Sequence, residues 1–180
     1  MPDDVRSRLV AAGVALVCEQ GTEALSLREM ARRAGVSHGA PRRYFPTHRD
    51  LLAAVARVGY ERLSARIERL ERHGDPRRDL MALGRVYLDF ARTDRGMFEL
   101  MFRHELLRGN QEGLRAASKP LFAVLVGLLP ERPAALARAG ALWATLHGIA
   151  QLSLWGSLDV VGSGDPEDLL RAAVDAYVEA

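Results

Sequence analysis

The sequence is almost free of cysteine, since Cys18 is the single one among 180 residues. A lone cysteine excludes an intrachain disulfide, and it excludes a zinc site built from several cysteines. Cys18 falls in the first predicted helix, residues 5–20, where we expect it to be a small buried hydrophobic side chain. The chain is long enough to bury a core that needs no such cross-link.

Signals for secretion and membrane insertion are also missing. The first ten residues, MPDDVRSRLV, carry acids where a signal peptide has basic residues followed by an apolar run. Residues 139–158 contain no Asp, Glu, Lys or Arg, but they include His147, Gln151 and three glycines. A membrane span needs about 20 mostly apolar residues, so we interpret this stretch as a buried or interface helix. We expect a cytoplasmic protein without a membrane partner.

Strand patterns and catalytic motifs are absent as well. No long run alternates between apolar and polar residues, and nearly the whole chain has the 3.6-residue period of helices. The sequence therefore predicts an all-α fold of about nine helices. It contains no glycine-rich phosphate loop, no G-x-S-x-G elbow and no H-E-x-x-H motif. We therefore expect no enzymatic activity, no cofactor and no metal site.

Positive charge is concentrated in one short segment. The whole chain has a formal net charge of only +2, yet residues 25–49 contain six arginines and one acid, Glu29. A local positive field on a soluble domain indicates a polyanionic partner. Apolar residues make up 48% of the sequence and charged residues 27%, which is typical of a folded soluble protein.

Two short helices are predicted within this basic segment. Ser26 and Glu29 form a capping box at the start of the first helix, with the serine oxygen accepting from the Glu29 N–H and the Glu29 carboxylate bonding back to Ser26. Gly35 ends that helix. The second helix begins at Ser37 or His38 and runs to about Phe45. Because helices of two turns are unstable alone, this pattern predicts a helix-turn-helix packed on flanking helices.

The second of these helices is the expected recognition helix. Its first residues, His38, Gly39 and Ala40, can approach base edges in the major groove. Arg42 and Arg43 can bind phosphates or guanine edges. An ordinary surface helical hairpin with solvated arginines is the competing interpretation, but the cap, the glycine and the charge coincide.

The residues now resemble a known family. The run LSLREMARRAGVS at 25–37, the Tyr-Phe-Pro at 44–46 and the Arg-Asp-Leu-Leu at 49–52 resemble the DNA-binding domain of TetR-family transcriptional regulators. The resemblance covers about residues 5–58. It implies a three-helix DNA-binding domain in residues 1–48, a connecting helix in 49–72, and a helical domain in 73–180 that binds a ligand and forms the dimer.

The resemblance also implies specific contacts. Ser26 and Arg28 lie where the family contacts phosphates, and residues 37–40 lie where it reads bases. Arg42 stands where the family often has an aromatic residue that contacts the backbone, and His48 stands where lysine is common. The complete set of expected DNA-contact residues is Ser26, Arg28, Ser37, His38, Gly39, Ala40, Arg42, Arg43, Tyr44 and His48. The implied partner is a palindromic operator bound by a homodimer, with repression as the family default.

The C-terminal part has a second, shorter resemblance. Trp143, His147 and Gly148 resemble the Trp…His-Gly signature of one TetR C-terminal subgroup, the WHG domain. Bulky side chains of the middle helices can form either plain core or a pocket for a small, mostly apolar effector. Whether His147 faces a ligand, the core or the dimer interface stays open. The residues expected to bind the ligand are Phe90, Met97, Met101, Phe122, Trp143, His147 and Gln151.

We expect a homodimer built from helices at residues 134–158 and 166–180, because the uncharged run is too apolar for solvent. Small residues at 140, 144 and 148 let two helices pack closely. Two other classes of protein remain open at this point. One is a small all-α ligand-binding protein or enzyme in which the helix-turn-helix is incidental. The other is an architectural DNA-binding protein, although the 120 residues after the motif argue against it.

Overall fold

A computed structural model describes residues 2–110, 112–129, 135–162 and 164–179. In these ranges the chain is helical and contains no strand, which confirms the all-α prediction. A 3₁₀ turn spans Thr22–Ala24. The α-helices of the described residues are α1 (Pro2–Gln20), α2 (Leu27–Arg33), α3 (Ala40–Tyr44), α4 (His48–Glu68), α5 (Pro76–Thr93), α6 (Arg95–Phe102), α7 (His104–Leu107), α8 (Leu114–Leu128), α9 (Ala135–Leu154), α10 (Ser157–Val161) and α11 (Pro166–Glu179).

The chain packs into two compact units. The first unit contains residues 1–62 and 94–117, and the second contains residues 63–93 and 118–180. These limits differ from the predicted domain limits, because residues 94–117 pack with the N-terminal helices. The predicted functional division into residues 1–48, 49–72 and 73–180 remains a prediction.

In the first unit, α1 is the helix on which the others pack. Its predicted inner face is confirmed, since Leu9, Ala12 and Leu16 are buried. Helices α2, α3 and α6 all contact α1. The approach of α6 is so close that a Cβ at Gly96 would collide with the carbonyl oxygen of Val17. Only glycine fits between these two backbones.

In the second unit, α5, α9 and α11 pack on one another. A Cβ at Gly84 of α5 would collide with Leu170 of α11, so a small residue sets the distance between these helices. Ion pairs flank the apolar contact: Arg77 donates to Asp175 at 2.6 Å, and Arg85 pairs with Glu167. The two arginines lower the pKa of both carboxyl groups below their usual values through these hydrogen bonds.

Several element boundaries differ from the sequence predictions. Helix α4 ends at Glu68 rather than at residue 72. The predicted helix 134–158 ends at Leu154, because Gly156 adopts a left-handed conformation with φ of 69° and α10 follows. Two short helices that the sequence did not predict, α7 and α10, raise the number of α-helices in the described ranges from the expected nine to eleven. The predicted break at residues 130–133 lies outside the described residues.

Two further expectations can be compared with the structure. Cys18 is exposed, so the prediction of a buried hydrophobic side chain is wrong. The neighbouring turns of α1 bury Leu16 and Val17, and residue 18 falls on the other side of the helix. Among the described helices, none combines the length and apolar character that a membrane crossing needs.

A buried carboxylate secures the loop before α5. Asp79 is 5% exposed and accepts hydrogen bonds from the N–H groups of His73 at 3.0 Å and Gly74 at 3.3 Å. The Nδ1 atom of His73 lies 3.3 Å from the same carboxylate. The His73 backbone N–H contributes most to lowering the pKa of Asp79 below its usual value. The charged form of Asp79 is therefore favoured by the folded chain.

This arrangement predicts an acid-dependent loss of stability. Because the folded-state pKa of Asp79 is depressed, its contribution is complete above the unfolded-state pKa and is lost as pH falls through the folded-state pKa. We expect wild type to unfold at higher urea than Asp79→Asn at pH 7, and we expect the difference to shrink below about pH 4. Urea unfolding followed by circular dichroism at several pH values measures it. A difference that is constant with pH would contradict this account.

Candidate nucleic-acid interface and ligand-binding residues

The start of α2 has half of the predicted capping box. The Ser26 hydroxyl accepts from the Glu29 N–H at 3.2 Å, as predicted. The prediction that the Ser26 N–H donates to the Glu29 carboxylate is wrong, because this N–H donates to the Ala24 carbonyl at 2.8 Å. The Glu29 carboxylate instead pairs with Arg32 at 2.5 Å, and this hydrogen bond lowers the pKa of Glu29. Glu29 thereby neutralises Arg32, one of the arginines of the basic segment.

The turn after α2 is fixed by a glycine and by an arginine of α1. Gly35 has a φ of 63°, the left-handed conformation expected after a helix end. Arg8 donates to the Ala34 carbonyl at 2.7 and 3.0 Å and to the Gly35 carbonyl at 3.1 Å. Sequence reasoning missed Arg8, because its partners lie 26 and 27 residues away.

The recognition helix is shorter than predicted. Helix α3 begins at Ala40 and has five residues, and the Ala40 N–H donates to the Ser37 carbonyl across a turn at 2.9 Å. The predicted start at residue 37 or 38 is therefore wrong by two or three residues. Pro41 explains the late start, because proline fits only the first turn of a helix. His38 and Gly39 lie in the exposed turn that leads into α3.

Most of the expected DNA-contact residues lie at the surface of the first unit. Tyr44 is half-buried, and Ala40 is buried against the core with 9% exposure. Ala40 and the buried Pro41 thus pack inward, while the preceding turn and the side chains of Arg42 and Arg43 are exposed. The expected residues that are exposed are Ser26, Arg28, Ser37, His38, Gly39, Arg42, Arg43 and His48.

The arginines of this surface fall into two groups. Arg32 and Arg33 pair with carboxylates, Arg32 with Glu29 and Arg33 with Glu19 at 2.6 Å. Within the described residues, the exposed Arg28, Arg42 and Arg43 form no ion pair; each guanidinium group keeps its donors for another partner. The helix-turn-helix therefore carries a cluster of uncompensated positive charge.

His48 has an internal partner that the sequence did not reveal. Its Nε2 lies 2.7 Å from the carbonyl oxygen of Leu25, the residue before the α2 cap. A hydrogen bond to a carbonyl requires the proton on Nε2, so Nδ1 of the neutral ring is an acceptor and does not donate to a phosphate. His48 thus links the first residue of α4 to the entrance of α2.

The exit from α3 is anchored twice. Thr47 and Asp50 form a complete capping box, in which the Asp50 N–H donates to the Thr47 hydroxyl at 3.2 Å and the Thr47 N–H donates to the Asp50 carboxylate at 3.0 Å. Arg6 lies 4.9 Å from the ring centre of the buried Phe45 and donates to both carboxylate oxygens of Glu112, at 2.7 and 2.8 Å. The end of the recognition helix is therefore tied to α1 and to the residues before α8.

The residues expected to bind a ligand are divided between the two units. Met97 and Met101 belong to the first unit and are fully buried. A Cβ at Gly59 would lie 2.5 Å from the Met101 sulfur and 2.8 Å from the Met97 sulfur, so both methionines fill the space above that glycine. The second unit contains the other five, Phe90, Phe122, Trp143, His147 and Gln151.

One polar cluster joins α5 and α9 in the second unit. The Tyr87 hydroxyl and His147 Nδ1 are 2.8 Å apart, and Trp143 stacks on the His147 ring with 5.6 Å between ring centres. Tyr87 is buried, whereas Trp143 is 38% exposed. His147 thus points toward α5 of its own chain, and the indole of Trp143 stacks on its ring.

Two grooves stand out on the described surface. One, of about 620 Å³, lies in the first unit between α1 and α4, and the other, of about 380 Å³, lies in the second unit beside α5 and the start of α11. None of the seven expected ligand-binding residues lines either groove. The described residues include no cluster of three or more His, Cys, Asp or Glu side chains that could hold a metal ion.

Comparisons with known proteins agree with this geometry. Residues 9–55 match the family described as bacterial regulatory proteins, tetR family, and residues 80–177 match the tetracyclin repressor-like C-terminal domain. The second match alone covers more than half of the chain. The protein belongs to the TetR family of transcriptional regulators. The finer likeness of Trp143, His147 and Gly148 to one C-terminal subgroup remains a prediction.

Individual relatives share either the DNA-binding region or the whole fold. The HTH-type transcriptional regulator PksA of Bacillus subtilis (strain 168) is 36% identical over 63 residues, which is 35% of this chain and 31% of PksA. A protein of unknown function from Rhodococcus sp. RHA1 is 30% identical, with a TM-score of 0.79, over 97% of this chain and 94% of its own. The multidrug binding protein EbrR, solved with ethidium, is 25% identical with a TM-score of 0.70 over 97% and 98%.

Proposed function

We propose that the protein is a homodimeric repressor that binds a palindromic operator and is released from it by a small, mostly apolar molecule. The observation that carries this proposal is the uncompensated positive charge of Arg28, Arg42 and Arg43 beside an exposed turn that ends in Gly39. Cations that are not neutralised within the protein attract phosphates, and the small residue allows close approach to the groove. Such a repressor acts in the cytoplasm, where its operator lies.

We assign the proposed DNA contacts to those expected residues whose side chains are exposed. Ser26 and Arg28 at the start of α2 bind phosphates, and Ser37, His38 and Gly39 face base edges. Arg42 and Arg43 are adjacent, so they point about 100° apart and reach different partners. We assign Arg42 to a phosphate, while Arg43 binds a phosphate or a guanine edge. Ala40 and Tyr44 support the helix from beneath, and His48 contacts the DNA backbone by donating from Nδ1 in the doubly protonated form of its ring.

The second unit supplies the proposed dimer contact. Among the described residues, five large apolar side chains are exposed, and four of them lie on or next to α9: Leu136, Trp143, Leu152 and Trp155. Apart from its own stretch of helix, a Cβ at Gly140 or Gly148 would meet no atom of the described residues within 4 Å, so these positions leave open space for a neighbour. An apolar, glycine-containing helix face of this kind is typical of close helix packing between subunits.

The proposed effector binds in the C-terminal domain. The complex of EbrR with ethidium supports a small-molecule site in a protein of this fold. In this chain Tyr87, Trp143 and His147 combine aromatic surface with a polar handle, which suits a mostly apolar molecule. The effector weakens DNA binding because it favours one spacing of the two DNA-binding domains, with a coupling of about 1–3 kcal/mol.

Selection of bound genomic fragments tests the regulatory function directly. The full-length protein is mixed with sheared genomic DNA of the organism that encodes it, and the retained fragments are sequenced. We expect an inverted repeat with half-sites separated by about one helical turn or a multiple of it. Retention of fragments that share no motif would contradict the proposal.

The recognition-helix arginines allow a sharper measurement. Arg42→Ala should weaken binding to operator and random DNA alike and lower the salt slope by about one unit, because one phosphate contact is lost. If Arg43 binds a guanine, Arg43→Ala relaxes the preference at one base pair per half-site at a cost of about 1–3 kcal/mol. Fluorescence anisotropy at several salt concentrations provides both numbers.

Arg32→Ala is the matched control, because Glu29 already neutralises this arginine on the same motif. It should change the salt slope less than Arg42→Ala does. An unchanged slope for Arg42→Ala would show that this assignment is wrong. Intact operator binding by both Arg42→Ala and Arg43→Ala would refute the placement of α3 against DNA.

The dimer is tested by mass in solution. Light scattering should give about twice the chain mass of 19.8 kDa. Gly148→Arg should yield a folded monomer, since the added side chain has space within its own chain but not against a partner helix. Glu61→Arg, an exposed change on α4, is the control and should remain dimeric. A monomeric wild type at micromolar concentration would overturn this part of the proposal.

A further inference from the structure

A second apolar stripe on α1 lies at the edge of the core rather than within it. The inner face of α1 is complete with Leu9, Leu16 and Val17, all fully buried. Val10 and Val14 lie outside that face and are only half-buried. Together with Val58 of α4 they form part of the wall of the groove in the first unit. Burial of the apolar surface that these valines still expose is favourable, so the side chains suit an apolar partner.

Three arginines surround this apolar surface. Arg6 of α1 and Arg57 and Arg62 of α4 line the groove, and the residues that line it include no Asp or Glu. A groove with guanidinium groups at its edge and hydrocarbon along its wall is complementary to an amphipathic anion. Its volume of about 620 Å³ lies within the range of small-ligand sites, about 300–1,000 Å³.

Two of these arginines have donors to spare. The closest carboxylate oxygen to Arg57 is that of Glu61, 3.6 Å from Nε, and the closest to Arg62 is that of Asp94, 3.6 Å from Nη1. Both distances exceed a hydrogen bond. Within the described residues, Arg57 Nε is also buried without any hydrogen-bond partner. The Arg57 side chain as a whole is 40% exposed, so a ligand in the groove reaches its exposed atoms rather than Nε.

We propose that the groove between α1 and α4 binds a small amphipathic carboxylate, with the carboxylate on Arg57 and Arg62 and the hydrocarbon on Val10, Val14 and Val58. The site lies in the first unit and is separate from the effector site proposed for the C-terminal domain. A DNA phosphate carries the same negative charge, but the DNA backbone has no hydrocarbon chain to pack against the three valines. The small-molecule occupant therefore fits both halves of the groove.

The groove contains its own reporter. Cys18 lines it, is exposed, and is the single cysteine of the chain. A bound ligand covers the Cys18 sulfur, so occupancy can be followed by the rate at which neutral iodoacetamide alkylates the full-length protein, measured by intact mass spectrometry. The probe is octanoate, and 1-octanol at the same concentration is its uncharged counterpart.

We expect octanoate at ten times its Kd to slow alkylation about tenfold, and 1-octanol to slow it much less. Arg57→Gln and Arg62→Gln should each weaken octanoate binding about tenfold, because a charged hydrogen bond is lost. Each variant is compared with its own rate without ligand, since Arg62 Nη1 lies 3.8 Å from the Cys18 sulfur. Arg69→Gln removes an exposed arginine that does not line the groove and should behave like wild type.

Four outcomes would overturn the proposal. They are no protection by octanoate, equal protection by 1-octanol, full protection in both Arg57→Gln and Arg62→Gln, and protection by duplex DNA in place of octanoate. The two arginine variants are independent, so one remains informative if the other does not fold. None of these outcomes depends on operator binding, which is measured separately.

Discussion

Helix α1 is the constraint on which the DNA-binding surface depends. Helices α2 and α3 have seven and five residues, too few to be stable alone. The conformation of α2 and α3 therefore depends on their contacts with α1. Leu9 and Leu16 of α1 are buried, and Arg8 of α1 donates to the Ala34 carbonyl in the turn. A reading surface made of such short elements is only as rigid as its contacts with this one long helix.

Local chemistry explains which features could be predicted from the sequence. The Ser26 cap, the left-handed Gly35 and the box of Thr47 and Asp50 each involve residues close together in the chain, and the structure contains all three. The all-α fold follows from the 3.6-residue period of the chain, and the family follows from the resemblance of residues 25–37, 44–46 and 49–52. The late start of α3 also has a local cause, since Pro41 fits only the first turn of a helix.

The remaining features depend on contacts between distant residues. The pair of Arg6 and Glu112 joins positions 106 apart, and no periodicity predicts it. The expectation that Cys18 is buried rests on the usual burial of cysteine as a residue type, whereas its position on the helix places it away from the buried Leu9, Ala12 and Leu16. Met97 and Met101 were grouped with Phe90 by residue type, although packing places the methionines in the first unit and Phe90 in the second.

The contact between Gly96 and the Val17 carbonyl has an evolutionary consequence. At this point two backbones, from α6 and α1, touch without a side chain between them. Any mutation that adds a carbon at residue 96 has to push the helices apart, and no compensating change at residue 17 can help, because the obstacle is a peptide oxygen. A divergent descendant that retains this helix spacing must retain the glycine. Position 96 therefore does not tolerate single substitutions, whereas the neighbouring surface positions are free to change.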